Sequence, residues 1–249
     1  MPRDWNETSY ERISAPLEAM GRDVLDRLEL RGDERVFDAG CGTGRVTAAL
    51  IERLPRGEVV AVDGSPAMVE QARARLGDAA DVRVADLIEL ELDPPVDAIL
   101  STATFHWIAD HDRLFARLLA TLRPGGRLVA QCGGAGNVAE LDAAAKAVGA
   151  REPYAPALAG WPGPWNFASP ADTEARLRRL GWADVWTWSF PVRVEPEDPR
   201  EYLTTIVLGS HLERLDEHLR APFIDAVLDE LEEPVVQYVR LNILARRPS

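Results

Sequence analysis

The hydrophobic positions change period along the chain. In "SAPLEAMGRDVLDRLELRG" they fall at Leu17, Met20, Val24, Leu25 and Leu28, the spacing of an amphipathic helix, and predict one ending near Gly32. The short apolar run "ERVFDAG" then predicts a strand, and "GRVTAALIERLP" a helix that starts at Arg45 and stops before Pro55. The alternation continues. "GEVVAVDGS" is a strand, and "SPAMVEQARARLG" a helix with Ser65 as N-cap, Pro66 at the first helical position and Gly77 at its end. "DVRVADL" and "VDAILST" are strands, "DHDRLFARLLATLRPGG" is a helix ending at Pro124-Gly125-Gly126, and "GRLVAQCGG" is a fifth strand. Strands and helices in strict alternation imply parallel pairing through right-handed crossovers, an α/β doubly wound sheet whose ligand sits at the carboxyl ends of the strands.

After Gly136 the rhythm changes. A helix is predicted over Glu140 to Val148, then a Pro/Trp-rich loop, "REPYAPALAGWPGPWNF", then a helix with Ser169 as N-cap and an alternating strand, "ADVWTWSFPVRV". Helices broken near Gly209 and Pro222 follow, and "VVQYVRLNILARRP" closes the chain as a strand. No linker divides the chain, so a single domain over 1–249 is expected: an N-terminal helical segment (1–32), a ligand-binding core (33–136), a cap with substrate-side insertions (137–232) and a last strand (233–249).

Composition narrows the partners. The 249 residues are 46% hydrophobic, enough for a large core, and carry 28 basic against 41 acidic side chains, a net charge of −13. That field disfavours nucleic acid. The one basic cluster, Arg176, Arg178 and Arg179, reads best as a solvated helix face. Two cysteines without metal or disulfide spacing, a polar N-terminus and no long apolar run predict a cytoplasmic protein bound neither to metal nor to membrane.

The chemistry concentrates in "DAGCGTGRVT", Asp38 to Thr47. Alternating glycines between a strand and a helix allow a sharp turn and the close approach of a ligand to backbone N–H groups. A dinucleotide fingerprint would place its third glycine at residue 45 or 47, where Arg45 and Thr47 stand. Asp63, at the end of the second strand, is placed to accept both hydroxyls of a ribose. Asp86, after the third strand, can accept from an adenine amino group, with Leu87 on one face of the ring and Met68 on the other. A nucleoside without a pyrophosphate is the economical ligand, and S-adenosylmethionine fits, its ammonium going to Asp38 or a loop carbonyl and its carboxylate to loop N–H groups.

With these motifs in place, the chain resembles the class I S-adenosylmethionine-dependent methyltransferases, and within them the trans-aconitate methyltransferase group. "VFDAGCGTG", "VVAVDGSPAMVEQAR", "VRVADL", "FHWIADHDRLF", "LRPGG" and "ILARRP" fall in that family's order. The resemblance implies seven strands with the last inserted antiparallel. It implies cofactor contacts at Asp38, Gly40, Cys41, Gly42, Asp63, Gly64, Met68, Asp86, Leu87, Thr102 and Ala103, with Tyr10 closing over the cofactor. The expected acceptor is a small molecule, a carboxylic acid methylated on oxygen; a phenol, amine or ring carbon, or cofactor binding without turnover, are the alternatives. His106 stands where related enzymes often have Gln, and "LVAQCGGAGN" replaces a segment typical of the group.

A carboxylate acceptor needs only orienting donors, for which Trp107, Tyr10 and His106 are the candidates; a phenol needs a base, and His106 is the available one. His111 reads as helix-start chemistry, and Arg12 and Arg151 as surface groups able to pair with an acid. Trp161, Trp165 and Phe167 can wall a substrate or pack, Trp186 and Trp188 are expected in the core, and a monomer or weak homodimer is expected.

Overall fold

A computed structural model describes residues 15–249, with side chains from Met20 onward. Helix α1 (Ala15–Leu25) is followed by β1 (Arg35–Ala39), α2 (Arg45–Glu52), β2 (Glu58–Asp63), α3 (Pro66–Leu76), β3 (Asp81–Val84), β4 (Val96–Thr102), α4 (His111–Thr121) and β5 (Leu122–Gly133). The remainder is α5 (Ala139–Gly149), α6 (Ala155–Leu158), α7 (Pro170–Arg179), β6 (Ala183–Val194), α8 (Pro199–Tyr202), α9 (Gly209–Glu213), α10 (Glu217–Asp229) and β7 (Val236–Arg246).

The seven strands form one sheet in the order β3-β2-β1-β4-β5-β7-β6, parallel from β3 to β5, with β7 antiparallel to both neighbours. The chain runs outward from β1 to β3 and returns on the other side at β4, so the order reverses between β1 and β4. A crevice opens at such a reversal. Alternate residues of the inner strands feed opposite layers. Phe37, Val60, Val62 and Ile99 pack with Leu114, Phe115 and Leu118 of α4, whereas Val36, Val59, Ala98 and Leu100 pack with Val24 and Leu25 of α1 and Leu50 of α2. Burial on both faces explains why these strands read as continuous apolar runs. A further cluster joins α5, α6, α8 and α10 to the start of β7, through Leu141, Val148, Tyr154, Tyr202, Phe223, Val236 and Tyr238.

Four expectations need correction. The helix before "LRPGG" stops at Thr121, because Leu122 turns extended and pairs with Val96; Arg123 to Gly126 are then looped out before Arg127 pairs with Ala98. The first helix ends at Leu25 and continues to Leu28 only as turns. Pro222 does not break its helix: it lies inside α10 on an exposed face, where the carbonyl it leaves without a partner is open to water. Trp186 and Trp188 do share a face of β6, but not the core one. Val185 and Thr187 are buried, while Trp186 is 61% exposed and stacks on Trp188, which Arg27 covers at 5.4 Å. β6 is one of the two edge strands, with its outer face only partly covered.

Candidate functional site

The crevice holds a cavity of about 930 Å³ lined from the carboxyl ends of β1, β2, β3 and β4. Each glycine of the loop has its own cause. A Cβ at Gly40 would lie 2.0 Å from the Thr104 hydroxyl; one at Gly44 would press on Ala72 and Leu76. Both side chains are excluded by the protein itself, with φ at +88° and +78°. Gly42 differs: at φ +53° nothing lies within 4 Å of its Cβ position, and the residue lines the cavity. The space a side chain would fill there is the cradle. Helix α2 has Gly44 as its N-cap and so no side-chain cap, and Arg45 and Val46 line the cavity at its start.

Asp63 accepts N–H bonds from Gly42 and Ser65, both at 2.9 Å, so it ties the glycine loop to the start of α3 while lining the cavity. Burial raises its pKa, against those backbone donors. Ser65 is the N-cap of α3, accepting from Met68 N–H at 3.4 Å, with Pro66 following it. Asp86 is exposed, holds its turn by accepting from Ile88 N–H at 3.1 Å, and lines the cavity next to Leu87.

Gly40, Cys41, Gly42, Asp63, Gly64, Met68, Asp86, Leu87, Thr102, Ala103 and Trp107 therefore meet around one cavity. Asp38 does not join them. It is 1% exposed beneath the loop and accepts from the Thr47 hydroxyl at 2.7 Å. Burial pushes its pKa up to about 7, eased by Thr47 and reinforced by Asp63. In a strand covered on both faces, the acid before the glycines points into helix α2 and away from the cavity. Tyr10 and Arg12 lie outside the described residues.

His106 is also absent from the large cavity. Phe105–Trp107 is a single 3₁₀ turn after β4 that puts the His106 ring, 7% exposed, against Phe167 at 5.8 Å. Its Nδ1 accepts the Gly133 N–H at 3.2 Å. Burial, with help from the Arg240 charge, lowers its pKa to about 3. The neutral ring then carries its proton on Nε2, so it is a donor and not the base that a phenol would require. His106 lines a second chamber, of about 80 Å³, which shares Ala103 and Trp107 with the large cavity. Ala103 stands at φ +55°, a strained value at the wall between the two.

Several lining groups gave no sequence signal. Thr104 bridges the carbonyls of Gly40 and Thr102 at 3.2 and 2.9 Å. Val84, 46% exposed, offers an apolar face beside Asp86. Ser210, Glu213 and Arg214 reach the cavity from the region after Gly136, where Trp161, one of the aromatic residues expected as a wall, also lines it with Arg214 over its ring at 4.8 Å. Of the other candidates, Trp165 lines the small chamber and Phe167 packs on His106 and Trp165. His111 bonds the Phe105 carbonyl through Nε2 at 2.9 Å, and Arg151 pairs with Glu230 at 2.6 Å. Arg176 and Arg179 both bind Asp112, and Arg178 binds Glu174, which neutralises the one basic cluster. Among the described residues no helix is long and apolar enough to cross a membrane.

Residues 36–126 match a methyltransferase domain model. Over its whole length the chain is similar to trans-aconitate 2-methyltransferase of Methylobacterium radiotolerans, 31% identical with 99% of each chain covered. The chain belongs to this methyltransferase family. The enzyme of that name from Escherichia coli O1:K1 is 36% identical over 128 residues, 51% of this chain and 50% of its own. Among solved structures, a phosphoethanolamine N-methyltransferase from Haemonchus contortus, bound to S-adenosylhomocysteine, shares the fold with a TM-score of 0.66 and 19% identity, over 97% of this chain and 56% of the longer one. A second structure of a Haemonchus contortus phosphoethanolamine N-methyltransferase, with a TM-score of 0.65 and 20% identity, is bound to S-adenosyl-L-methionine. The open cradle at Gly42, the carboxylate of Asp63 and the apolar walls at Met68, Val84 and Leu87 suit an adenosyl group bearing no phosphate.

Proposed function

We propose that this methyltransferase transfers a methyl group to a carboxylate oxygen of a small acid. The observation that carries the reading is the state of His106: its Nδ1 is taken by Gly133 N–H, so the one imidazole beside Ala103 and Trp107 presents a donor and removes no proton. A carboxylate, ionised near neutral pH, needs no proton removed. The full-length relative named for trans-aconitate supports the same acceptor class.

In this reading Asp63 holds the ribose hydroxyls and Asp86 the adenine amino group. Met68, Val84 and Leu87 flank the base, and Gly40, Cys41, Gly42, Gly64, Thr102 and Ala103 shape the cradle. Bound S-adenosylmethionine supplies a methyl group on a positively charged sulfur. A carboxylate acceptor would take that methyl group without giving up a proton, so no residue of the chain would have to act as a base. The Trp107 indole N–H and the Tyr10 hydroxyl orient the acceptor, and the walls contributed by residues 137–232 exclude water. We also propose that the enzyme acts in the cytoplasm, as a monomer or weak homodimer, on no nucleic acid.

The test is a panel of trans-aconitate, other small acids, phenols and amines, with methylated products identified by mass spectrometry. The expected outcome is a methyl ester, formed at a rate flat from about pH 6 to 9, since an ordinary carboxylic acid stays ionised there. Asp63→Ala should abolish S-adenosylhomocysteine binding by calorimetry. A product methylated only on phenol or nitrogen, with a rate that climbs with pH, would overturn the acceptor assignment.

A further inference from the structure

The loop after α6, "AGWPGPWNFA", carries three aromatic rings on a stiffened backbone. Pro162 and Pro164 fix φ, and Gly160 and Gly163 take φ of +73° and +98°. Asn166 pins the loop to the turn after β4. Its N–H donates to the His106 carbonyl at 2.8 Å, and its Nδ2 to the carbonyls of Ala109 at 2.9 Å and Ile108 at 3.3 Å. That clamp lays the rings of the loop against Phe105–Trp107. Trp165 stacks on Phe167 at 5.5 Å, Phe167 on His106 at 5.8 Å, and Trp107 meets Trp165 at 6.2 Å. Trp161 carries the row of rings into the large cavity, with its edge or face against His211 at 4.8 Å.

On the side of the large cavity away from the glycine loop, Trp107, Ile108, Trp161 and Pro164 present ring and aliphatic surface. Two charged side chains reach that side from the end of α9, Glu213 and Arg214, adjacent and opposite in sign. Arg214 donates through Nε to the Ala157 carbonyl at 3.1 Å while its guanidinium covers the Trp161 ring, so it braces the tryptophan. A ligand bearing several charges would give up water there for mostly apolar wall, which is costly. A planar ring would instead gain burial and ring-on-ring contact. The small chamber, at about 80 Å³, is below the roughly 150 Å³ that admits a benzene ring. A ring therefore belongs in the large cavity, whose volume of about 930 Å³ stands at the upper end for a single-ligand pocket and leaves room for an acceptor beside the cofactor.

We infer that the acceptor is an aryl-bearing carboxylic acid, one carboxylate joined directly or by a short link to an aromatic ring, and that Trp161 is the specificity-determining residue on which the ring packs. Pro164 and Ile108 complete that apolar wall. The inference rests on the carboxylate reading above and narrows it: the reacting group is the one shared with the trans-aconitate relative, whereas the body of the acid differs.

The experiment measures methyl ester formation from benzoate, phenylacetate and cinnamate against cyclohexylacetate and trans-aconitate, with wild type, Trp161→Ala and Trp161→Phe. Wild type should prefer the best aryl acid to both non-aromatic acids by about 10-fold or more in kcat/KM, the scale of one good aromatic contact with its buried area. Trp161→Ala should raise the KM for that aryl acid roughly 10-fold, while the KM for trans-aconitate and the affinity for S-adenosylhomocysteine stay within about 2-fold. Trp161→Phe, which keeps a ring, should restore most of the loss. A loop that had merely loosened would raise both KM values alike and would not be rescued by Phe. If Trp161→Ala fails to fold, Trp161→Leu, which keeps apolar bulk without a ring, takes its place with the same expectation. Turnover of trans-aconitate with no aryl acid accepted, or an equal rise in KM for both acids in the variant, would overturn this inference and leave the carboxylate reading standing. Failure of wild type to esterify any acid would overturn the carboxylate reading, and this inference with it.

Discussion

At the scale of single residues, the glycine loop separates what the fold requires from what the ligand requires. Gly40 and Gly42 look alike in sequence, and both have positive φ. Gly40→Ala must move Thr104, whose side chain closes the reversal point between β1 and β4, so a destabilisation above about 2 kcal/mol is expected. Gly42→Ala meets no protein atom and should cost only the left-handed backbone penalty, about 1 kcal/mol, while its methyl group intrudes on the cradle. Denaturant melts paired with S-adenosylhomocysteine calorimetry will sort them: lost stability dominates at 40 and lost affinity at 42. Equal losses at both positions would contradict this division. The loop, Asp63 and Asp86 were legible because each stands at a strand end announced by its own apolar run. Val84, Thr104 and Arg214 were not, because what recruits them is the shape of the crevice, which periodicity does not encode.

At the scale of elements, strand and helix identity through β5 followed from hydrophobic period, and the antiparallel β7 from family resemblance. What the pattern could not supply is which face of an alternating strand meets the core. "ADVWTWSF" offers one face with two tryptophans and another with Val185 and Thr187, and bulk favoured the tryptophans. The register with β7 decides otherwise, with a shift between Ala183 and Trp186 that turns Val185 inward against Leu177 and Trp182. Trp186→Thr is therefore expected to change stability by no more than about 0.5 kcal/mol, as surface substitutions do. Val185→Ser, which deletes buried methyls and buries a hydroxyl, should cost about 2 kcal/mol. Urea titrations of the two variants check this; a larger loss at 186 than at 185 would mean the outer face of β6 is covered.

Across the whole molecule, two buried groups that stand outside the large cavity pull stability in opposite directions with pH. His106 has a folded pKa near 3 against an ordinary 6.5. Between those values the unfolded chain binds a proton that the folded chain refuses, so this contribution is lost as pH falls below about 6.5. Asp38 has a folded pKa near 7 against an ordinary 3.8. Here the folded chain holds the proton, so its contribution is lost as pH rises from about 4 to 7. Each slope is about 1.4 kcal/mol per pH unit at its steepest, and between about pH 4.5 and 6.5 the two offset one another. Asp38→Asn keeps an acceptor for the Thr47 hydroxyl and removes only the falling component. Its stability relative to wild type should therefore climb with pH across that window, by about 1 kcal/mol or more per unit, then level off above pH 7. Substituting His106 by Gln should do the reverse, gaining on wild type as pH drops. Denaturant midpoints measured from pH 4.5 to 8 give both curves. A constant difference between Asp38→Asn and wild type would mean that Asp38 is already ionised in its buried position, and that the Thr47 hydroxyl stabilises the charge more than burial penalises it.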